Sequence, residues 1–448
     1  MSEDKKENKM GTMPIGKLLV SMSLPAMFSM MVQALYNIVD SIFVSRFSEM
    51  ALTAVSLAFP VQTLMISFAV GTSIGITSVV SRRLGEKREE DALNAAQTGY
   101  TLLLICSSVF LILGLTVVKQ FFKLYTDDPT LIKMGTDYLS ICTILSIGCF
   151  ILTYTEKVLQ GTGDTIHPMI IQMSGAIFNI IFDPILIFGY FGLPAMGVAG
   201  AAYATVLGQI LSMMIGIHYV HKSPYVAIRF SKIRFNRQSA KDILQVGIPS
   251  IIMQGIGTVM TSLMNAILIT YNILATTVFG VYFKLQSFVF MPVFGMNQGL
   301  MPILGYNYGA KNRKRMMKAL LLGLLVAFTI MSLGTLVFCS IPQKLLGLFN
   351  ASDEMLAIGK VAMRRISYSF PIAAFCIILG ALFQAIGDGY VSMITSIVRQ
   401  IVFLIPAAYF FGKLAGLDAV WLSFIFAEIF AALMNFLFFL KTKKKLNF

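Results

Sequence analysis

The chain has 448 residues, of which 57% are hydrophobic and 12% charged, and its mean hydropathy is +0.79. This composition excludes an ordinary soluble protein and indicates an integral membrane protein. The net charge of +14 does not indicate a nucleic-acid partner, because the basic residues stand in short clusters between apolar runs, as in proteins oriented across a membrane.

Twelve apolar runs are long enough to cross a bilayer, which takes about 20 helical residues. Numbered helix 1 to helix 12 in chain order, they lie near residues 18–45, 51–80, 93–118, 135–160, 168–190, 195–220, 242–271, 277–306, 318–341, 360–386, 389–411 and 416–440. Lys and Arg are concentrated in the loops on one side, which predicts that both termini are cytoplasmic. The sequence therefore predicts an all-α, multi-pass membrane protein.

The second half of the chain repeats the first at an offset of 224 residues, without a gap. Pro25 aligns with Pro249, and Gly75 aligns with Gly299. We predict two six-helix lobes of the same topology, for which the expected substrate site lies between the lobes. The predicted segments are a cytoplasmic tail (1–17), an N-lobe (18–220), a cytoplasmic linker (221–241), a C-lobe (242–440) and a basic tail (441–448).

Helix 5 carries an acidic residue within an apolar run. Asn179 and Asp183 stand four residues apart and so share one helix face. An Asp at the centre of a membrane helix costs roughly 2.5 to 3.5 kcal/mol, which makes a functional site the first hypothesis. Pro184 adds a free acceptor, because it cannot donate a hydrogen bond to the carbonyl of Ile180. The alternative is a kinked packing helix whose Asp bonds to a neighbouring hydroxyl.

Helix 1 carries a polar stripe on an otherwise apolar surface. Its members are Gln33, Tyr36, Asn37 and Asp40. Asp40 and Asp183 are predicted at similar depth, and Thr205 on helix 6 could reach the same cluster. In the second repeat Asp40 becomes Met264 and Asp183 becomes Ala407, so the cluster belongs to the first half alone.

The second half has its own charges within apolar runs. Arg399 and Glu428 lie at similar predicted depth, which favours a structural ion pair, with a second functional site as the alternative. Lys284 either extends to the interface or faces a central cavity. The predicted substrate-cavity residues are Gln33, Tyr36, Asn37, Gln62, Gln286, Met291 and Lys284. For each methionine, ordinary packing is the alternative to a place in the cavity. A cavity role is considered because soft, adaptable side chains suit apolar cations.

Catalytic and metal-binding motifs are missing from the sequence. The five cysteines have no metal-ligand spacing, and the three histidines fall near helix ends. No GxxxxGK[ST] loop is present, so ATP hydrolysis by this chain is excluded. We expect no catalytic residues, no metal site and no cofactor.

Several motifs together resemble the MATE family of multidrug and toxin extrusion transporters. They are LPAMFSMMVQALYNIVDSIFV in helix 1, FNIIFDPILIFG in helix 5, MPVFGMNQGLMPILGYNYGA in helix 8, and the QGTGD and QAIGD turns. The likeness covers nearly the whole chain and is strongest to the bacterial branch with MepA-like and DinF-like members. It implies cation coupling by Asp40, Asn179 and Asp183, with Thr205 as the candidate hydroxyl. It also implies a monomer in the bacterial cytoplasmic membrane.

The resemblance implies export of lipophilic, mostly cationic molecules by antiport. Two carboxylates at similar depth should not both ionise unless a cation joins them, so proton and drug would compete for them. Helices 7 and 10 lack the acids that NorM-like relatives carry, which favours protons over sodium as the coupling ion. A lipid-linked saccharide flippase is the alternative within transport, and a membrane-embedded enzyme is the alternative outside it.

Overall fold

Every regular element is a helix in the described part of the computed structural model. That part covers residues 8–228, 234–349 and 351–445, without the side chains of Asn37, Ile38, Ser41, Ser45, Glu49 and Lys445. The longer helices in the first half are α2 (Ile15–Phe47), α3 (Glu49–Gly85), α4 (Glu89–Thr116), α6 (Pro129–Ile144), α7 (Ile147–Gly161), α8 (Ile166–Phe188) and α9 (Val198–His221). Two short helices, α1 (Lys9–Thr12) and α5 (Val118–Lys123), complete this half.

The second half repeats this order of helices. Its longer helices are α10 (Arg237–Ile269), α11 (Ile273–Gly309), α12 (Arg313–Ser340), α14 (Asp353–Ser367), α15 (Phe370–Ala385), α16 (Gly389–Ile397), α17 (Ile405–Ala415) and α19 (Ser423–Lys445), and its short ones are α13 (Pro342–Gly347) and α18 (Leu417–Val420). Among the described residues, ten helices are long and apolar enough to cross a membrane, or up to twelve if each of two bent pairs is one span. The predicted all-α membrane protein is confirmed.

Three predicted spans contain either a bend of more than 40° or a π-helical segment. The span at 135–160 consists of α6 and α7 with a bend of 45°, and the span at 360–386 consists of α14 and α15 with a bend of 46°. In the second pair, Pro371 stands in the first turn of α15, where its missing N–H is tolerated. The span at 389–411 contains a π-helical segment, Val398–Leu404, between α16 and α17.

The chain packs as two compact units. The N-terminal unit is Phe28–Ile251, and the C-terminal unit combines Met1–Met27 with Ile252–Phe448. The unit boundaries fall inside α2 and α10. The first part of α2 therefore belongs to the C-terminal unit and the first part of α10 to the N-terminal unit, whereas the predicted lobes at 18–220 and 242–440 place each helix in one lobe. The lobe division at the linker stays a prediction, and residues 229–233 of that linker lie outside the described residues.

Glycines explain why the first parts of α2 and α10 pack as they do. Within the N-terminal unit, a Cβ on Gly75 of α3 would lie 2.2 Å from the carbonyl oxygen of Ile243 in α10. Within the C-terminal unit, a Cβ on Gly299 of α11 would lie 2.7 Å from the backbone of Met22 in α2. Only glycine allows such approaches, and the two glycines are equivalent in the repeat.

The QGTGD and QAIGD turns have the same backbone in both units. Gly163 and Gly387 adopt φ values of 95° and 93°, a conformation that favours glycine. The amides of Asp164 and Asp388 then donate to the carbonyl five residues earlier, at 3.0 and 2.8 Å. The shared motif is therefore a helix-ending turn, which joins α7 to α8 in one unit and α15 to α16 in the other.

Candidate functional site

The polar residues of α8 are buried and bonded to α9 in the N-terminal unit. Asp183 is 0% exposed and Asn179 is 3% exposed. Nδ2 of Asn179 donates to Oδ1 of Asp183 and to Oγ1 of Thr205, both at 3.2 Å. Three of the four residues predicted to couple a cation are therefore in direct contact.

Small residues bring α8 and α9 close enough for these bonds. A Cβ on Gly200 of α9 would lie 2.4 Å from the carbonyl oxygen of Leu186, and one on Gly208 would lie 2.9 Å from that of Gly175. The backbones are in contact on both sides of Thr205 along α9. Its short side chain can therefore reach Asn179.

Asp40 joins this cluster from the second part of α2, which belongs to the same unit. The carboxyl groups of Asp40 and Asp183 are within hydrogen-bond reach of each other. Tyr36, one turn earlier on α2, is an electrostatic neighbour of both. The structure thus brings together Asp40, Asn179, Asp183 and Thr205.

Three oxygen atoms of this cluster are buried without a hydrogen-bond partner among the described residues. They are Oδ1 of Asp40, Oδ1 of Asn179 and Oδ2 of Asp183. An unpaired buried polar atom costs about 1 to 3 kcal/mol, and more when it is charged. All three atoms are acceptors, so the cluster can bind a proton or a small cation, and either would relieve this cost.

A second set of contacts links α2 and α8 on the faces that carry Asp40 and Asn179, closer to the start of each helix. Oγ of Ser29 donates to Oε1 of Gln172, and Nε2 of Gln172 donates to Oε1 of Gln33 at 2.7 Å. The sequence reasoning missed Ser29 and Gln172. Gln172 stands seven residues before Asn179, and Ser29 stands four before Gln33, so helical spacing would have identified both.

Gln62, another predicted cavity residue of this unit, is hydrogen-bonded to α6. Its Nε2 donates to the hydroxyl of Tyr138 at 3.2 Å and to Sγ of Cys142 at 3.5 Å. Tyr138 is also an electrostatic neighbour of Asp40 and was not predicted. The side chain of Asn37 lies outside the described residues.

The C-terminal unit contains the other predicted residues. Gln286 and Met291 are half-buried on α11, and Lys284 on the same helix is exposed. Nη1 of Arg399 lies 2.5 Å from Oε1 of Glu428. The two charges that were paired on depth alone are therefore in contact, while their role stays a prediction.

The C-terminal unit has no counterpart of the acidic cluster among its described residues. Met264 and Ala407, the equivalents of Asp40 and Asp183, are 0% and 6% exposed. Nowhere in the described residues do three or more His, Cys, Asp or Glu side chains form a group that could hold a metal ion.

Comparison with known proteins identifies the family independently of the geometry of the site. The MatE family model matches residues 25–185 and 249–410, two stretches that begin 224 residues apart. Similar curated proteins include the FAD transporter of Shewanella oneidensis, 25% identical over 92% of this chain and 91% of that protein. The probable multidrug resistance protein NorM of Thermotoga maritima is 25% identical over 96% of this chain and 93% of that protein. The multidrug export protein MepA of Staphylococcus aureus is 23% identical over 94% and 92%.

Solved structures match over nearly the full length. A multidrug resistance MATE family transporter in an outward-facing conformation gives a TM-score of 0.93 at 27% identity, covering 99% of both chains. A MOP superfamily transporter from Pyrococcus furiosus gives a TM-score of 0.92 at 27% identity, covering 100% of both chains.

Proposed function

Because the chain belongs to the MatE family of membrane transporters, we propose that it exports lipophilic, mostly cationic molecules by antiport against an inward cation gradient. Relatives named for multidrug resistance and multidrug export support this substrate class. The observation that carries the mechanism is the set of three buried oxygens on Asp40, Asn179 and Asp183 that have no hydrogen-bond partner among the described residues.

The mechanism follows from the charge of these groups. Two neighbouring carboxyl groups in a water-poor site cannot both stay ionised without a positive charge between them. A proton or small cation supplies that charge in one state, and a lipophilic cation displaces it in the other. Alternating access converts this competition into antiport. Each charge that moves inward gains about 2.3 kcal/mol per 100 mV of membrane potential.

We favour protons over sodium as the coupling ion. The oxygens of Asp40, Asn179, Asp183 and Thr205 could serve either ion, but two carboxyl groups within hydrogen-bond reach can share a proton without further ligands. The equivalents of these two acids in the C-terminal unit, Met264 and Ala407, are apolar, so the unit has no acidic pair at the corresponding position.

The other proposed properties complete this account. The protein acts as a monomer in the bacterial cytoplasmic membrane, with both termini in the cytoplasm and without an organic cofactor. Its relatives are transporters, which is consistent with a chain that is not an enzyme. A lipid-linked saccharide flippase would need a strongly basic cavity, and only Lys284 and Arg399 were candidates for one.

Everted membrane vesicles provide the test. A fluorescent lipophilic cation is added outside vesicles from cells with and without the transporter, and a pH gradient with an acidic lumen or a sodium gradient with a sodium-rich lumen is imposed separately. We expect transporter-dependent movement of the dye with the pH gradient in sodium-free buffer. Movement under neither gradient would contradict the antiport proposal, and movement under sodium alone would contradict the choice of ion.

A further inference from the structure

We propose that Arg399 is a second binding site, which takes a carboxylate or phosphate group of the transported molecule, and that Glu428 holds its guanidinium in position. Such a site depends on the proposed export function and extends its substrates from cations to zwitterions.

The contact between the two side chains leaves most of the guanidinium free. Nη1 of Arg399 donates to Oε1 of Glu428, while Nε and Nη2 have no hydrogen-bond partner among the described residues. Arginine pairs that only stabilise a fold are most favourable when both nitrogens of the fork are used. The side chain of Arg399 is 27% exposed and that of Glu428 is 11% exposed. The accessible end of the pair is therefore the positive one.

The surroundings of Glu428 are also incompletely bonded. Oε2 of Glu428 and Oδ1 of Asn435, seven residues later on α19, are buried without a partner in the described part of the chain. The thiol of Cys376 on α15 is an electrostatic neighbour of Glu428, but neither of these two oxygens has a hydrogen bond to it in the described part of the chain. A buried ion pair stabilises a fold only when its remaining polar atoms are satisfied. This pair does not meet that condition.

The repeat shows that the fold does not require charges at this position. The equivalents of Arg399 and Glu428 in the N-terminal unit are Gly175 and Ala204. A Cβ on Gly175 would lie 2.4 Å from Oγ of Ser212, so α8 and α9 pack closely there without an ion pair. The charges in the C-terminal unit are therefore an addition to a helix contact that works without them.

The backbone at Arg399 is also unusual. Arg399 lies in the π-helical segment Val398–Leu404, which interrupts the helix formed by α16 and α17. Short π-helical segments inside α-helices are frequent at functional sites. The corresponding part of α8 is continuous α-helix, so the π-helical turn coincides with the charged residue.

The chemistry of the free donors identifies the ligand. A guanidinium fork matches the two oxygens of a carboxylate or phosphate, whereas a cationic group would be repelled by it. Glu428 balances the charge of Arg399 before the ligand arrives, which lets the guanidinium stay in an apolar span without a bound anion. A molecule with one positive and one negative group could then be bound.

Two dyes with the same ring system provide the test. Rhodamine 6G is a cationic ester, and rhodamine 19 is its free carboxylic acid and hence a zwitterion at neutral pH. Their binding to purified protein in phosphatidylcholine nanodiscs is followed by fluorescence anisotropy, without any gradient. The variant is Arg399→Gln combined with Glu428→Gln, which leaves no buried charge unpaired. Lys413→Gln removes a basic residue from the same span and serves as the control.

We expect the double variant to bind rhodamine 19 about tenfold more weakly, or about 1.4 kcal/mol, while rhodamine 6G binding and the Lys413→Gln control stay within about twofold of wild type. Equal weakening of both dyes, or no change in either, would overturn the proposal. If the double variant does not fold, Arg399→Lys keeps the charge but loses the fork, and it should weaken rhodamine 19 alone. Unchanged rhodamine 19 binding by that variant would also overturn it.

Phosphatidylglycerol nanodiscs distinguish a lipid phosphate from a carboxylate on a transported molecule. Competition by this lipid that disappears in the double variant supports an anion site that lipid also occupies. Because binding is measured without transport, loss of export in vesicles with intact discrimination between the dyes would contradict antiport and not the Arg399 site.

Discussion

At the scale of single residues, the acidic cluster is defined by what its atoms lack. Asp40, Asn179 and Asp183 present buried acceptors that no described donor satisfies, although Asn179 already bonds to Thr205. Evolution toward stability alone would replace such groups by apolar ones, as at Met264 and Ala407 in the second repeat. The cost of burying these acceptors is consistent with a site whose bound proton or cation must leave and be replaced in each transport cycle.

Neutralising either carboxylate should abolish coupled export. In Asp40→Asn or Asp183→Asn the amide keeps the volume but cannot exchange a proton, so we expect drug resistance to fall to the level of cells without the transporter. Asp91→Asn, which removes a surface acid paired with Arg88, should retain wild-type resistance. Growth in a lipophilic cation, at matched membrane expression, measures the effect. Full resistance from both site variants would disprove the coupling role.

The contacts of Gln172 should contribute to stability in a coupled way. Ser29→Ala removes the bond between these two side chains and should cost about 0.5 to 1.5 kcal/mol, whereas Gln172→Leu also removes the bond to Gln33 and should cost about twice as much. Because both changes remove the same bond, the double variant should lose less than the sum of the two. Thermal unfolding of the purified variants tests this double-mutant cycle. Strict additivity would show that the two side chains do not interact.

At the scale of helices, the sequence predicted positions better than shapes. The apolar runs coincide with the ten candidate spans and the two bent pairs of the described residues, because lipid requires a continuous apolar surface of fixed length. The bends between α6 and α7 and between α14 and α15, and the π-helical segment at Arg399, were missed. These features depend on how neighbouring helices satisfy backbone groups, and hydropathy does not report that.

The glycine contacts provide a prediction at this scale. In Gly75→Ala the new methyl group would meet the carbonyl oxygen of Ile243, so the backbones must separate, and we expect a loss of about 1 to 3 kcal/mol. Gly280→Ala on α11 is the matched control, because no atom lies within 4 Å of the position that its new methyl group would take. It should be neutral or stabilising by about 0.5 to 1 kcal/mol. Melting temperatures in detergent compare the two; equal melting temperatures would contradict close packing of α3 and α10.

At the scale of the whole molecule, the internal repeat carried most of the prediction. Its offset of 224 residues explained the paired glycines and turns, and the family model matches the chain in the same register. The same comparison separated the shared scaffold from the acids that occur once. The sequence could not assign the first parts of α2 and α10 to a unit. The apolar pattern of a helix does not show which helix it packs against, or where along its length that packing partner changes.

The central claim is that a lipophilic cation and a proton compete for the cluster of Asp40, Asn179 and Asp183. The most direct measurement is proton release when tetraphenylphosphonium is added to purified protein in weakly buffered, sodium-free solution, with binding followed in parallel. We expect roughly one proton released per cation bound by the wild type, and none by a variant that carries both Asp40→Asn and Asp183→Asn. Tight binding by the wild type without proton release would contradict the account, as would equal release by the double variant.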